Sequence, residues 1–595
     1  MAEKIIRIGG ASGFWGDSSV AVPQLAQVPG MQYIVFDYLA ELTMSILAGA
    51  RARKPELGYA TDFVEVVARQ SLKACKERGI RLIANAGGVN PLACAQALEK
   101  LAAELGVTIK VGVVDGDDVT ALLPKLRGRG VRDFYSGTAM PERIVSANAY
   151  LGALPIARAL AMGADVVVTG RVVDSAVTLG ALVHEFGWQA DDYDRLAAGS
   201  LAGHLIECGC QATGGLYTDW QDVPDWANMG YPVIDCRADG SFELTKPANT
   251  GGLVAVPAVA EQMLYEIGDP ANYILPDVVC DFTQVKMEQL DKERVRVSGA
   301  RGKPPTGTYK VSATYADGFR CTGTLTITGF DAAAKARRSG EAILERTRGI
   351  FRRTGLADYT ATDLSVLGTE GVYGPHAQPH DLHEAVLRLA VSHRQKQALE
   401  IFAREIAPAG TSWSPGTTGS LNAGRPNVAP QIKQFAFLVP KAEVQARAAA
   451  GGVTEQVAVP AGSDAALAPG ADAPAATAQA PSTDFVEVPL IRIAHGRSGD
   501  KGDSSNVGLI TRRPEYLPYL HAQVTPEAVH SYLSHLVRGK VSRYALPGIG
   551  AVNLVLEGAL GGGGMASLRN DPLGKGMAQL VLGMPIRIPQ GLLKT

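Results

Sequence analysis

Residues 79–106 read GIRLIANAGGVNPLACAQALEKLAAELG. The short apolar run that ends at Ala84 predicts a buried strand, which stops in a loop from Asn85 to Asn90. Asn90 is expected to cap a helix and Pro91 suits its first turn. Leu92, Ala95, Leu98, Leu101 and Leu105 then recur at helical spacing until Gly106 stops the pattern. The same alternation continues on both sides. KIIRIGG (4–10), QYIVFDYL (32–39), TIKVGVVDGDD (108–118) and ADVVVTGR (164–171) are strand candidates, with amphipathic segments about ten to fifteen residues long between them. This is the βαβ signature, so the fold class is α/β with a mostly parallel sheet.

From about 275 the pattern changes. RVRVSGARGKPPTGTYKVSATYADGFRCTGTLTITGF (294–330) alternates with period two and places Asp317-Gly318 where a hairpin turn is expected. Helices are expected over 333–353 and 382–404, which gives this portion an antiparallel α+β character. Residues 443–483 are rich in Ala, Pro and Gly without apolar period and read as a linker that leaves its neighbours separable. After it, VPLIRIAHG, TPEAVHSYLSHLVRG, AVNLVLEGAL and GMAQLVLGMPIRI predict a small α+β domain. The expected organisation is a large module at 1–442, the linker at 443–483 and the small domain at 484–595.

The composition agrees with this picture. The chain has 595 residues, 46% apolar and only 19% charged, with 67 glycines. That excludes a disordered, fibrous or coiled-coil chain. Its 57 basic and 59 acidic residues leave a formal net charge of -2, so no global field recruits nucleic acid or an anionic membrane. Seven cysteines, scattered and odd in number, are no disulfide framework, and no run approaches the length of a membrane span. The chain opens without a leader pattern. A cytoplasmic protein is expected, with neither nucleic acid nor membrane as partner.

Candidate chemistry gathers at strand ends. IRIGGASGFWGDSS (6–19) and IRIAHGRSGDKGDSS (491–505) share the spacing Ser-Gly-x-x-Gly-Asp-Ser-Ser. Glycines there can turn N–H groups toward an anion while serines add hydroxyls. Gly10, Ser12, Gly13, Gly16, Asp17 and Ser18 in the first copy are expected to bind substrate, as are Ser498, Gly499, Lys501, Gly502 and Ser504 in the second. The octet carboxylates, Asp17 or Asp503, suit orienting a cation, accepting a ribose hydroxyl or moving a proton, and Asp503 and His495 are taken as the catalytic candidates. The competing reading is a pair of turns capped by Asp and Ser. Asp37 and Glu41 lie four apart beyond a strand, where two carboxylates require a cation, a shared proton or water. Arg171 and Asp174 stand between a strand end and a helix, a usual ligand position in open α/β sheets. Arg171 suits a carboxylate or phosphate, whereas in the bland reading Asp174 caps the helix. Asn85 lies at another strand end. Glu207 neighbours Cys208 and Cys210, too few ligands for a tetrahedral metal site, so no metal is assigned. The loop 407–430 offers Thr417, Thr418 and Arg425 to a polar or phosphorylated ligand. No phosphate-binding GxxxxGK[ST] and no GxGxxG after a strand occurs.

Longer motifs point to one family. IRIGGASGFWGDS, FDYLAELTM, IANAGGVNP, VVTGRVVDSAVTLG, IECGCQATGG, the stretch 407–419 and GRPNVAPQIKQFAFLVPK resemble the acyclic terpene utilisation (AtuA-like) family. IRIAHGRSGDKGDSSNVGL and LGGGGMASLRNDPLGK resemble the small domain that accompanies it. The resemblance implies work beside acyl-CoA enzymes in the breakdown of citronellol, geraniol and branched acids. The expected function is a hydratase or lyase on an acyl-CoA thioester, with Asp37, Glu41, Asp174, Glu207, His495 and Asp503 as acids or bases. No cofactor is assigned beyond the CoA moiety of the substrate. A homo-oligomer, with association with acyl-CoA pathway enzymes, is expected. The alternative is a non-catalytic binding or scaffold subunit for a neighbouring carboxylase or lyase, and a metal-dependent hydrolase using Asp37 and Asp174 is a third reading.

Overall fold

The computed structural model describes residues 4–378, 380–419, 424–463, 465–473 and 484–593. The unit read at 79–106 is there as a strand, Arg81–Ala84, and a helix, Pro91–Glu104. Cys94, Ala95, Leu98, Leu101 and Ala102 form the buried stripe of that helix, and Pro91 occupies its first turn. Asn90 does not cap it. Its amide donates instead to the carbonyls of Pro55 (2.9 Å) and Leu57 (2.8 Å), which ties the helix entry to an upstream loop.

Five strands make the parallel middle of an eleven-stranded sheet. In chain order they are β1 (Ile5–Gly10), β2 (Tyr33–Phe36), β3 (Arg81–Ala84), β4 (Val111–Asp115) and, after β5 (Ser146–Ala149) of a second sheet, β6 (Val166–Thr169). Their spatial order is β1-β2-β3-β6-β4. Both faces are covered: Tyr33 and Val35 of β2 enter one hydrophobic core while Ile34 and Phe36 enter the other. This two-sided burial is why these strands read as continuous apolar runs. Antiparallel strands extend the sheet at both edges. Val233–Arg237 pairs with β1, and Phe242–Thr245, Arg294–Ser298 and Lys286–Asp291 lie successively outward.

At the other edge Arg447–Ala450 pairs with β4 and Val453–Gln456 pairs with it in turn. The stretch expected as a linker from 443 therefore begins as a hairpin. Its alanines, Ala448 and Ala450, are buried, and Gly451 and Gly452, both at positive φ, form the tight turn. Small residues that resemble a tether in composition here permit close packing. Farther on, the Ala468 and Ala471 carbonyls accept from Asn272 and from the Ala545 N–H, so residues 465–473 lie along the large module and reach the small domain. The rest of that expected linker, 474–483, lies outside the described residues.

The second sheet is six-stranded and built on one long strand, Thr308–Thr328. The hairpin turn expected at Asp317-Gly318 is instead a bulge within that strand, opposite the register shift in its pairing with Val428–Pro440. The helix expected at 333–353 spans Ala332–Thr354. The helix expected at 382–404 is a strand, Glu384–His393, and then a shorter helix, Lys396–Glu405. Ala385, Leu387 and Leu389 are buried at period two, and that alternation prevails over the helical spacing of the longer window.

The small domain is α+β, as expected. Its antiparallel sheet runs Ala494–Lys501, Ser504–Thr511, Ala551–Leu556, Val541–Leu546, and helices Leu517–Gln523, Pro526–Tyr532 and Met577–Val581 close its core. It is docked as well as tethered. Asn506 and Asn553 donate to the carbonyls of Leu264, Ile267 and Gly268, and Arg512 forms a two-point pair with Asp219 at 2.6 Å.

Candidate functional site

The carboxyl ends of the parallel strands meet the small domain and the second sheet at one polar cluster. Asp37, just beyond β2, is 7% exposed. Asn85, just beyond β3, donates to its Oδ1 at 2.5 Å and accepts from the Tyr38 N–H, and Ser12 Oγ donates to the Asp37 carbonyl. Glu41 starts the helix Glu41–Arg53 and accepts from Tyr150 Oη (2.6 Å) and Gln434 Nε2 (3.2 Å). Arg171, beyond β6, pairs with Asp174 at 2.8 Å and lies 4.2 Å over the Tyr150 ring. Its backbone N–H donates to buried Asp117, which also accepts from Asn148.

Other elements close the cluster. Glu207 comes directly after the helix Tyr193–Ile206 and lies 3.0 Å from His204 Nδ1. Lys310, on the long strand, stands 5.3 Å from the Tyr150 ring centre and 5.7 Å from that of Tyr135. From the small domain, Lys501 reaches Glu266 at 3.6 Å and Lys575 reaches it at 3.8 Å. Glu266 has a left-handed backbone, φ +59°, and its N–H donates to Asn506. Backbone strain of this kind persists only where the surroundings impose it.

The carboxyl groups of the cluster are unequal. Burial pushes Asp37 well up, reinforced by the Asp174 charge, and burial together with Asp174 does the same to Glu207. Burial raises Asp500 to about 7, with Glu266 adding to it. Glu41 goes the other way: burial opposes its charge, but Lys310 and Arg171 outweigh it and bring the pKa to about 2. Burial also opposes the charges of Arg171, Lys310 and Lys501, yet nearby tyrosines and carboxylates leave all three raised. One cluster thus combines carboxyl groups pushed up by burial, a carboxylate brought down by its cations, and several firm cations. That set can bind an anion and pass a proton within it.

Of the residues singled out in the sequence, Asp37, Glu41, Asn85, Arg171, Asp174, Glu207 and Lys501 come together here. Ser12 supports Asp37. Gly10 and Gly13 serve packing: a Cβ on Gly10 would lie 2.1 Å from the Ile206 carbonyl, and one on Gly13 would lie 2.9 Å from the Cys208 backbone. Asp17 holds its own loop, accepting from the N–H groups of Gly13 and Ser18 and from Tyr231, with Gly16 at the turn.

The repeated octet folds in two ways. The first copy is a loop leading to the helix Ala21–Ala26. The second is a hairpin, with Ser498, Gly499 and Lys501 in one strand, Ser504 in the next and Gly502-Asp503 at the turn. The chain beyond the octet decides this, because NVGLIT (506–511) continues the second copy as strand. Ser498 donates to the Gly574 carbonyl, Gly499 packs on Glu266 and Tyr265, and Gly502 packs on Tyr135. Asp503 accepts from the N–H groups of Leu560 (3.2 Å) and Gly562 (2.7 Å), the capping alternative. His495 has a partner set separate from that cluster. It stacks on Tyr217, lies 3.0 Å from Asp219, and is pulled down to about 4 by burial and then by Arg512. Thr417 and Thr418 bond to the carbonyls of Ser414 and Thr326, and Arg425 lines a separate cavity. Burial drives the Cys208 thiol up and takes Cys210 to about 12, so neither is a thiolate at neutral pH.

Asp117, Tyr135, Tyr150, Glu266, Lys310, Asp500 and Lys575 did not stand out in the sequence. Asp117 could have been found, since it succeeds β4 as Asp37 succeeds β2. Lys310 carries no local signal, being one polar residue in an alternating strand.

A sequence model described as acyclic terpene utilisation family protein AtuA matches residues 6–450, and one described as AtuA ferredoxin-like domain matches residues 488–587. No curated protein and no solved structure matches the chain. Among the described residues, no helix is long and apolar enough to cross a membrane.

Proposed function

The chain belongs to the acyclic terpene utilisation family, and from that membership we propose that its buried cluster is an active centre of acyclic terpenoid catabolism, a hydratase or lyase acting on an acyl-CoA thioester. One observation carries this reading: within one buried cluster Lys310 and Arg171 bring Glu41 down to about 2 against the effect of burial, while burial and the Asp174 charge push Asp37 and Glu207 well up. Burying charges costs several kcal/mol per ion, and this cluster gathers several of them at the carboxyl ends of the parallel strands.

Hydration of an enoyl thioester needs such an unequal set. A base takes a proton from water as its oxygen bonds to Cβ, the double-bond electrons move to the thioester oxygen as an enolate, and an acid returns a proton to Cα. Glu41 is the base, Asp37 or Glu207 is the acid, and Lys310 and Arg171 hold the enolate charge. The reverse sequence removes water. A carboxylate with a pKa of about 2 is a weak base, but Lys310 and Arg171 are what keep it there. A bound enolate engages those cations and returns Glu41 toward the ordinary carboxylate range.

The test is to incubate the full chain with enoyl- and 3-hydroxyacyl-CoA esters of acyclic terpenoid acids in oxygen-labelled water and to track products by mass spectrometry. Enoyl esters are expected to gain one labelled water and 3-hydroxyacyl esters to lose one unlabelled water, both abolished in Glu41→Gln. No conversion across the panel, and no Cα proton exchange when the incubation is repeated in deuterated water, would sink the reading.

A further inference from the structure

Arg320, Cys321 and Thr322 of the long strand, with Arg425, Pro426, Asn427 and Ala429, line a cavity of about 340 Å³. These residues carry two guanidinium groups, an amide and a hydroxyl, and among the described residues no carboxylate lines the cavity. Arg425 is exposed and forms no ion pair among the described residues. Arg320 donates to the carbonyl of Met565, at 3.3 Å, and among the described residues to no carboxylate. Its neighbour Arg388 is already engaged, paired with Asp363 at 3.0 Å and donating to the Leu568 carbonyl. Burial, then the Arg388 charge, lowers the Arg320 pKa. A half-buried cation beside a like charge is relieved by an anion.

We propose that the cavity between Arg320 and Arg425 is a phosphate-binding site. A carboxylate is flat and can be satisfied by a single guanidinium, whereas two guanidiniums with added amide and hydroxyl donors suit the several oxygens of a phosphate or diphosphate. The surroundings indicate which molecule carries it. The strand Val428–Pro440 runs from the cavity at Ala429 to Gln434, which donates to Glu41. Those five residues span roughly 17 Å. A CoA ester carries its thioester and its phosphates at opposite ends of a long pantetheine arm. This choice of CoA rests on the thioester reading above; the phosphate site itself does not.

Calorimetric titration of the full chain with CoA and with inorganic pyrophosphate tests it, comparing the wild type, Arg320→Gln/Arg425→Gln and Lys310→Met. Both probes are expected to bind competitively and to weaken at higher salt. The double variant loses about tenfold or more in affinity for each, while Lys310→Met leaves pyrophosphate binding unchanged. Pyrophosphate binding that depends on the arginines without any CoA binding keeps the phosphate site, assigns it to a free phosphorylated ligand and overturns the thioester reading. Binding of neither probe, or equal binding by wild type and double variant, overturns the proposal. Should the double variant fail to fold, Arg425→Gln at the exposed position gives the same comparison.

Discussion

Arg497 of the small domain and Glu261 of the large module meet at 3.1 Å with 4% and 0% of their side chains exposed. The guanidinium also donates to Gln211 and to the Gly215 carbonyl. Removing one partner of such a pair leaves a buried charge uncompensated, at a cost of about 3–5 kcal/mol. Arg497→Ala is therefore expected to destabilise the whole chain by that amount in urea titrations. Because the seam couples the modules, wild-type calorimetry should give one transition; two well-separated peaks would contradict the docking.

Asp37→Asn should separate stability from activity. Burial and the Asp174 charge push the Asp37 carboxyl well up, and an amide of the same shape keeps an acceptor for Asn85. The expected result is an unchanged or higher Tm with turnover on the active thioester reduced about 10²–10⁴-fold, as for loss of a general acid or base. A marked fall in Tm with full turnover would assign Asp37 a structural role.

Asp117 gives a pH signature. Burial raises it from the usual 3.8 to about 7, against the bonds from Arg171 and Asn148. The folded state keeps the proton that the unfolded state loses first. Its contribution to stability is thus full below about 3.8 and lost as pH rises through about 7. Asp117→Asn does not ionise, so its unfolding free energy should decline less than that of the wild type across this window. Parallel curves from denaturant titrations at a series of pH values would refute the assignment.

A strand-end glycine and a turn aspartate should behave as structural parts. Gly10→Ala forces a methyl against the Ile206 carbonyl and is expected to cost about 1–3 kcal/mol or more. Asp503→Ala removes the acceptor for two N–H groups and should cost about 1–2 kcal/mol, visible as a lower Tm. Unchanged melting of Asp503→Ala would favour a ligand-binding role for that carboxylate.

The parallel strands were legible because two-sided burial writes itself as short apolar runs, and the half of the cluster beyond them could be read from position: Asp37, Asn85, Arg171 and Asp174 each succeed a strand. The other half was hidden because it is assembled from afar. Lys310 is one polar residue in an alternating strand, and Glu266 matters through a left-handed backbone that Asn506 holds. The octet at 12–19 and 498–505 shows the opposite failing. Identical spacing suggested identical loops, yet the residues after each copy, helix-forming in one and strand-forming in the other, set the conformation.

The chain passes from the large module to the small domain once, while the surface that fixes their mutual position is held by non-covalent contacts, Arg497–Glu261 and Arg512–Asp219 among them. A gene interrupted between these parts would yield two polypeptides whose meeting surface already encodes their pairing. The smaller product would then act in trans as a detachable subunit, delivering Lys501, Lys575 and Asp500 to the rest of the cluster, and its abundance would meter the larger one.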